Sequence, residues 1–139
     1  MNRSFVADSS VALAWILQNQ ATDATRALLL EIREGAVLVV PSLWFFEVAN
    51  ALVIAARRRL ISVGERETAT GLIAALRLET DHDGNERALS ATSELAQKHG
   101  LTVYDAAYLE LARRRSLPLA TRDHALMSAA KKSGVTLLA

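Results

Sequence analysis

The chain has 139 residues, 51% of them apolar, and a formal net charge of +1 from 16 Lys and Arg against 15 Asp and Glu. That length suits one domain over residues 1–139, and that apolar content excludes a chain too polar to build a core. The lack of cysteine excludes disulfides, thiolate zinc sites and cysteine nucleophiles, while the balanced charge names no partner.

Ser4-Phe5-Val6-Ala7 predicts a short buried strand, and Ser9 and Ser10 are suited to cap a helix running to about Gln18. A second helix opens at Thr22 or Asp23, carries Leu28, Leu29 and Ile32 among its apolar positions, and stops at Glu34-Gly35. Ala36-Val37-Leu38-Val39-Val40 is apolar on both faces, the pattern of an interior parallel strand. Pro41-Ser42 starts a third helix to about Arg59, and Gly64-Glu65 a fourth to Leu78. Leu78-Glu79-Thr80 reads as a brief strand or extended link. Gly84-Asn85 then breaks the chain before a helix from about Glu86 to Lys98, ended by His99-Gly100. Leu101-Thr102-Val103-Tyr104 reads as extended, and a helix from about Asp105 to Arg114 follows it. Leu117-Pro118-Leu119-Ala120 is a strand with its Pro at the start. Arg122-Asp123 opens a last helix to Lys132, and Val135-Thr136-Leu137-Leu138 is a terminal strand. Strands alternating with helices predict an α/β fold with a parallel sheet covered on both faces. No repeat or linker interrupts it. The N-terminus, Met1-Asn2-Arg3-Ser4-Phe5, lacks a long apolar signal segment, and no stretch reaches the roughly 20 apolar residues of a membrane span. A cytoplasmic protein without membrane contact is the expectation.

Four acids stand out: Asp8, Glu47, Asp105 and Asp123. Asp8 and Asp123 follow predicted strands, and Asp105 falls at a helix start. Ligands of open parallel sheets bind beyond the carboxyl ends of the strands, so these three occupy the expected rim. Glu47 must reach it from inside a helix. Carboxylates beside apolar neighbours are costly to desolvate, and several meeting without Lys or Arg repel one another. A hard divalent cation, Mg²⁺ or Mn²⁺, resolves that conflict with oxygen ligands. One or two such ions suit hydrolysis of a phosphodiester by metal-activated water, with no histidine or serine nucleophile. Thr121 and Ser9 can add hydroxyls to the site. Asn50 lies on nearly the same helix face as Glu47 and can hold it or a bound water.

These pieces, in this order and spacing, resemble PIN-domain ribonucleases and specifically the VapC toxins of type II toxin–antitoxin pairs. The resemblance rests on four segments that together cover the chain. They are Phe5-Val6-Ala7-Asp8-Ser9-Ser10-Val11, Pro41-Ser42-Leu43-Trp44-Phe45-Phe46-Glu47-Val48-Ala49-Asn50-Ala51-Leu52, Leu101-Thr102-Val103-Tyr104-Asp105-Ala106-Ala107-Tyr108-Leu109 and Leu119-Ala120-Thr121-Arg122-Asp123-His124-Ala125-Leu126. It implies a three-layer α/β/α sandwich and metal-dependent endonucleolytic cleavage of RNA. The family's acidic quartet falls on Asp8, Glu47, Asp105 and Asp123, its supporting hydroxyl on Thr121 and its helix Asn on Asn50. Asp8 and Asp105 are the principal metal ligands in that reading. It also implies a homodimer and a cognate antitoxin whose tail lies across the active site. No further acid follows Asp123 in its helix, where some relatives carry one.

Plainer roles stand beside these. Asp8, Asp105 and Asp123 each suit a helix N-cap, which Glu47 does not. Asn50 and Thr121 suit local backbone hydrogen bonds. His82 reads as a solvated turn, His99 as a helix end and His124 as outward-facing. Arg57-Arg58-Arg59 and Arg113-Arg114-Arg115 suit helix C-termini, with one or two assisting RNA. Trp15, Trp44, Phe45 and Phe46 read as core or dimer interface rather than base-stacking platforms. A non-catalytic PIN-like module binding protein or RNA is the alternative function. A nuclease or phosphatase acting on DNA or a small phosphate ester is a third.

Overall fold

The computed structural model describes residues 3–138; Met1, Asn2 and Ala139, with whatever the sequence implies for them, lie outside the described residues. Five parallel strands form one sheet in the order β3-β2-β1-β4-β5. They are β1 (Ser4–Ala7), β2 (Val37–Pro41), β3 (Leu78–Asp81), β4 (Leu119–Ala120) and β5 (Leu137–Leu138). The central strand β1 is deeply covered, with Phe5 and Val6 at 0% exposure, because a parallel sheet is packed on both faces.

Helices α1 (Ser9–Ile16), α2 (Asp23–Arg33), α3 (Leu43–Arg57) and α4 (Val63–Ala74) pack on one another, and α5 (Ser93–His99), α6 (Val103–Arg114) and α7 (His124–Lys132) form a second group. The strand order explains the division. From β1 the chain winds outward through β2 to β3, then crosses the sheet to β4 and winds outward again to β5. Right-handed crossovers in opposite directions put the two helix groups on opposite faces. The result is the expected three-layer α/β/α sandwich. Winding reverses between β1 and β4, which opens a crevice at their carboxyl ends. Among the described residues, no helix is long and apolar enough to cross a membrane.

Several boundaries differ from the sequence expectation. The segment before Asp105 is not extended. Thr102 caps α6 by accepting from the Asp105 backbone N–H at 3.1 Å, so the helix begins at Val103 and Asp105 is its third residue. Ser9 and Ser10 lie inside α1, whose cap is Asp8. The fourth helix ends at Ala74, because pairing with β2 from Leu38↔Leu78 to Pro41↔Asp81 draws the chain into a strand that reaches Asp81. The helix expected from Glu86 is a path of changing pitch, with a 3₁₀ turn over Asp83–Arg87, a π turn over Ala88–Thr92 and then α5.

The second arginine triplet is structural at two of its positions. Arg114 reaches Asp81 through Nη2 at 2.7 Å and Glu110 through Nε at 2.8 Å, tying α6 to the end of β3. Arg115 pairs with Glu79. The Asp81 and Glu110 side chains are only 4% and 6% exposed, so the guanidinium between them is required to offset their desolvation. Its hydrogen bond holds the Asp81 carboxyl below its usual range. That stability is therefore present above pH 3.8 and is lost as pH falls through the depressed value. Replacing Arg114 with Met should leave two buried carboxylates unpaired and cost about 3 kcal/mol in urea unfolding at pH 7. Adding Asp81→Asn and Glu110→Gln should recover most of it.

Candidate functional site

Three of the four acids sit where a helix begins at the carboxyl edge of the sheet. Asp8 ends β1 in extended backbone (φ −80°, ψ 177°), and its Oδ1 accepts from the Ser10 N–H at 3.1 Å. Asp123 follows β4 and caps α7, accepting from the Ala125 N–H at 3.4 Å. Asp105 lies in the first turn of α6. Unpaired N–H groups at helix starts favour negative charge, which helps hold carboxylates there. The capping role and a place in the site thus coincide for Asp8 and Asp123, whereas at α6 the cap is Thr102. Glu47, the fifth residue of α3, is a turn past its helix start and has no such support.

The four share one electrostatic field. Burial raises the Asp8 carboxyl above its usual range, hydrogen bonds from Ser10 and Thr121 oppose the rise, and the Asp105 charge adds to it. Burial also raises Glu47, against the Tyr108 hydroxyl and with the charges of Asp105 and Asp8. Burial raises Asp105 in the same way, and the charge of Asp123 adds to it. Among the described residues, no Lys or Arg forms an ion pair with any of the four.

Hydroxyl groups fix the acids instead. The Ser10 Oγ donates to Asp8 Oδ1 at 2.5 Å while accepting from the Arg122 N–H at 3.0 Å. The Thr121 hydroxyl donates to Asp8 Oδ2 at 2.5 Å while accepting from the Asp123 N–H at 3.0 Å. These two side chains stitch the turn after β1 to the turn after β4 across the crevice. The Tyr108 hydroxyl donates to Glu47 Oε1, joining α6 to α3. Its own proton is held well above the usual tyrosine range by burial and by that carboxylate, so it remains a donor.

Asp8, Glu47 and Asp105 thus feel one another's charge, Asp123 acts on Asp105, and Thr121 bonds Asp8. Ser9 also lies here, and its hydroxyl pulls the Glu47 carboxyl downward. Asn50 does not join the network. It is exposed, on the wall of a shallow groove of about 360 Å³ that Ser9 and Glu47 also line. Sequence reasoning missed Ser10 and Tyr108 as site residues. Ser10 was legible as a hydroxyl two residues after an Asp, the spacing of an Asx turn. Tyr108 lies three residues after Asp105, on the same face of α6.

Of the histidines, His82 and His124 are exposed, and His99 lies 3.3 Å from the Ser133 hydroxyl. Trp44 is in the core at 0% exposure, as expected. Trp15 is half-buried and donates to the Thr25 carbonyl at 2.7 Å. Phe45 and Phe46 are 40% and 78% exposed and lie outside the core, because α3 buries the face of Trp44, Val48, Leu52 and Ala55.

Among the described residues, no three Asp, Glu or His side chains form a ready-made cage for an ion. The donor set still fits a hard cation. Its members are oxygen-only, mutually repelling and unpaired, and Mg²⁺ keeps several waters and needs few protein ligands.

The chain belongs to the PIN-domain family, whose model matches residues 5–132. No curated protein sequence matches it. Solved structures share its fold. PAE2754 from Pyrobaculum aerophilum is 23% identical, with a TM-score of 0.67 over 99% of this chain and 92% of that one. VapBC2 from Rickettsia felis, bound to a DNA fragment from its promoter, is 14% identical, with a TM-score of 0.66 over 96% of each chain. FitAcB from Neisseria gonorrhoeae is 18% identical, with a TM-score of 0.62 over 97% of this chain and 96% of that one.

Because the Asp105 carboxyl is raised, the folded state binds the extra proton, and stability falls as pH climbs through the raised value. The penalty is absent below pH 3.8, the ordinary value of that carboxyl. In metal-free protein, Asp105→Asn should therefore raise Tm by about 2–5 °C at pH 7.5 and give no gain below pH 3.8. Differential scanning fluorimetry across pH reads this directly.

Proposed function

We propose that the chain is a VapC-like toxin of a type II toxin–antitoxin pair, a metal-dependent endoribonuclease built as a single domain over residues 1–139. PIN domains are generally nucleases, and this chain belongs to that family. The observation that carries the reading is the set of four carboxylates sharing one field at the carboxyl edge of the sheet, none paired with a Lys or Arg among the described residues.

Asp8 and Asp105 would be the principal ligands of Mg²⁺ or Mn²⁺, with Glu47 and Asp123 completing the set or acting through water. A bound ion supplies charge relief on the phosphate and an activated water. The chain supplies the rest. Ser10 and Thr121 hold both oxygens of Asp8, so that its orientation is set before substrate arrives. Thr121 simultaneously fixes the backbone that presents Asp123. Preorganisation of this kind removes reorganisation cost at the moment of reaction. Asn50 lies one turn beyond Glu47 on α3 and lines the same groove, which supports a role for it toward substrate.

RNA is the proposed substrate, the cytoplasm the proposed location, and a cognate antitoxin and a second copy of the chain the proposed partners. Two structures of similar fold carry toxin–antitoxin names, which supports the antitoxin.

The test is cleavage of total cellular RNA with and without Mn²⁺ or Mg²⁺, comparing wild type with Asp105→Asn. Metal-dependent cuts that fall about a hundredfold or more in the variant are expected. Intact RNA with both proteins, alongside tight binding of a partner unaffected by the substitution, would replace this reading with a non-catalytic binding module.

A further inference from the structure

Glu47 differs from the other three acids in how it is aimed. Asp8 and Asp123 are caps, and Asp105 lies in a first turn, so local backbone orients each short side chain. Glu47 sits beyond the first turn of α3, on a longer side chain with more rotamers to lose. The helix itself gives its carboxylate no anchor. The Tyr108 hydroxyl, from an element 61 residues later, engages it at Oε1, and the Ser9 hydroxyl acts on it more weakly. Tyr108 is 0% exposed and its ring belongs to the core. A phenylalanine would fill that space equally well, so packing alone does not call for the hydroxyl. Burying a hydroxyl costs free energy unless a partner receives it, and the partner here is a carboxylate of the site.

We infer that Tyr108 is a positioning residue for Glu47: it occupies Oε1 and leaves Oε2 as the oxygen presented to an ion or its water. It acts through Glu47 and touches neither substrate nor ion. Outer partners of this kind tune affinity by fixing the orientation of a ligand. The inference rests on the metal reading above and adds to it a single-oxygen role for Glu47.

The experiment is Mn²⁺ titration calorimetry on metal-free wild type, Tyr108→Phe, Glu47→Gln and the double variant, with kcat and KM for RNA cleavage measured in parallel. Thermal unfolding of each variant checks that the fold is kept. Tyr108→Phe should weaken Mn²⁺ binding about tenfold and lower kcat, with KM little changed. In the Glu47→Gln background it should have no further effect. Glu47→Asp keeps the charge but is a methylene too short to meet both Tyr108 and the crevice, and it should lose comparable affinity. Wild-type Mn²⁺ affinity and kcat in Tyr108→Phe would overturn the inference, as would a Tyr108→Phe effect that persists undiminished beside Glu47→Gln. No Mn²⁺ binding by wild type would overturn the metal reading itself, and this inference with it.

Discussion

Desolvation of carboxylates gathered at one edge of a parallel sheet, with their mutual repulsion added to it, is the constraint around which this molecule is arranged. The same chain shows the alternative. Asp81 and Glu110 are buried more completely than Glu47 or Asp105, yet Arg114 lies between them and Asp81 is held below its usual range. Among the described residues, no guanidinium pairs with Asp8, Glu47 or Asp105, and burial drives all three upward. The same fold neutralises one acidic pair with a guanidinium and leaves the other set to hydroxyl groups. The contrast lies within a single helix, because Asp105 and Glu110 both belong to α6. The start of that helix faces the crevice, and its end locks onto β3 through Arg114.

The strand order makes the crowding possible. β1 and β4 are neighbours whose following turns leave in opposite directions, so the turns that carry Asp8 and Thr121 meet across the reversal although 113 positions separate these two residues in sequence. Each enters a helix there, and helix N-termini offset part of the charge they gather. Neutral hydroxyls take the place of ion pairs. Ser10 accepts the Arg122 N–H from the far turn, Thr121 accepts the Asp123 N–H of its own turn, and both donate to Asp8, so a single pair of side chains sets both the geometry of the carboxylate and the separation of two loops. Structure and chemistry are coupled at this point, because loosening either hydroxyl moves Asp8 and the loop together.

Outside the crevice the molecule is an ordinary doubly wound sandwich, and its surface carries what the core does not need. The triplet Arg57-Arg58-Arg59 is exposed at the end of α3, and Phe46 is exposed at its start. These side chains lie outside the packed core.

The sequence by itself determined the fold class and the four acids. A buried run such as Val37-Leu38-Val39-Val40 reads as an interior strand, and an Asp at the end of a strand is visible because polarity changes abruptly at one position. Boundaries that depend on side-chain capping were less legible. Thr102 draws Val103 and Tyr104 into α6 by a hydrogen bond that composition does not reveal, and ladder pairing with β2, not local propensity, converts Leu78–Asp81 into strand. Thr121 was among the hydroxyls that the sequence offered, but the tertiary structure decided that Ser10 and Tyr108 join it in holding the acids. Ser10 and Tyr108 gain their roles from partners 112 and 61 positions away, on turns and helices brought together by the sheet. It likewise separated Arg114, committed to Asp81 and Glu110, from the exposed Arg113 beside it. Sequence spacing fixes which residues share a face of one element, whereas distance between elements is set by packing, and every one of these distinctions lies between elements.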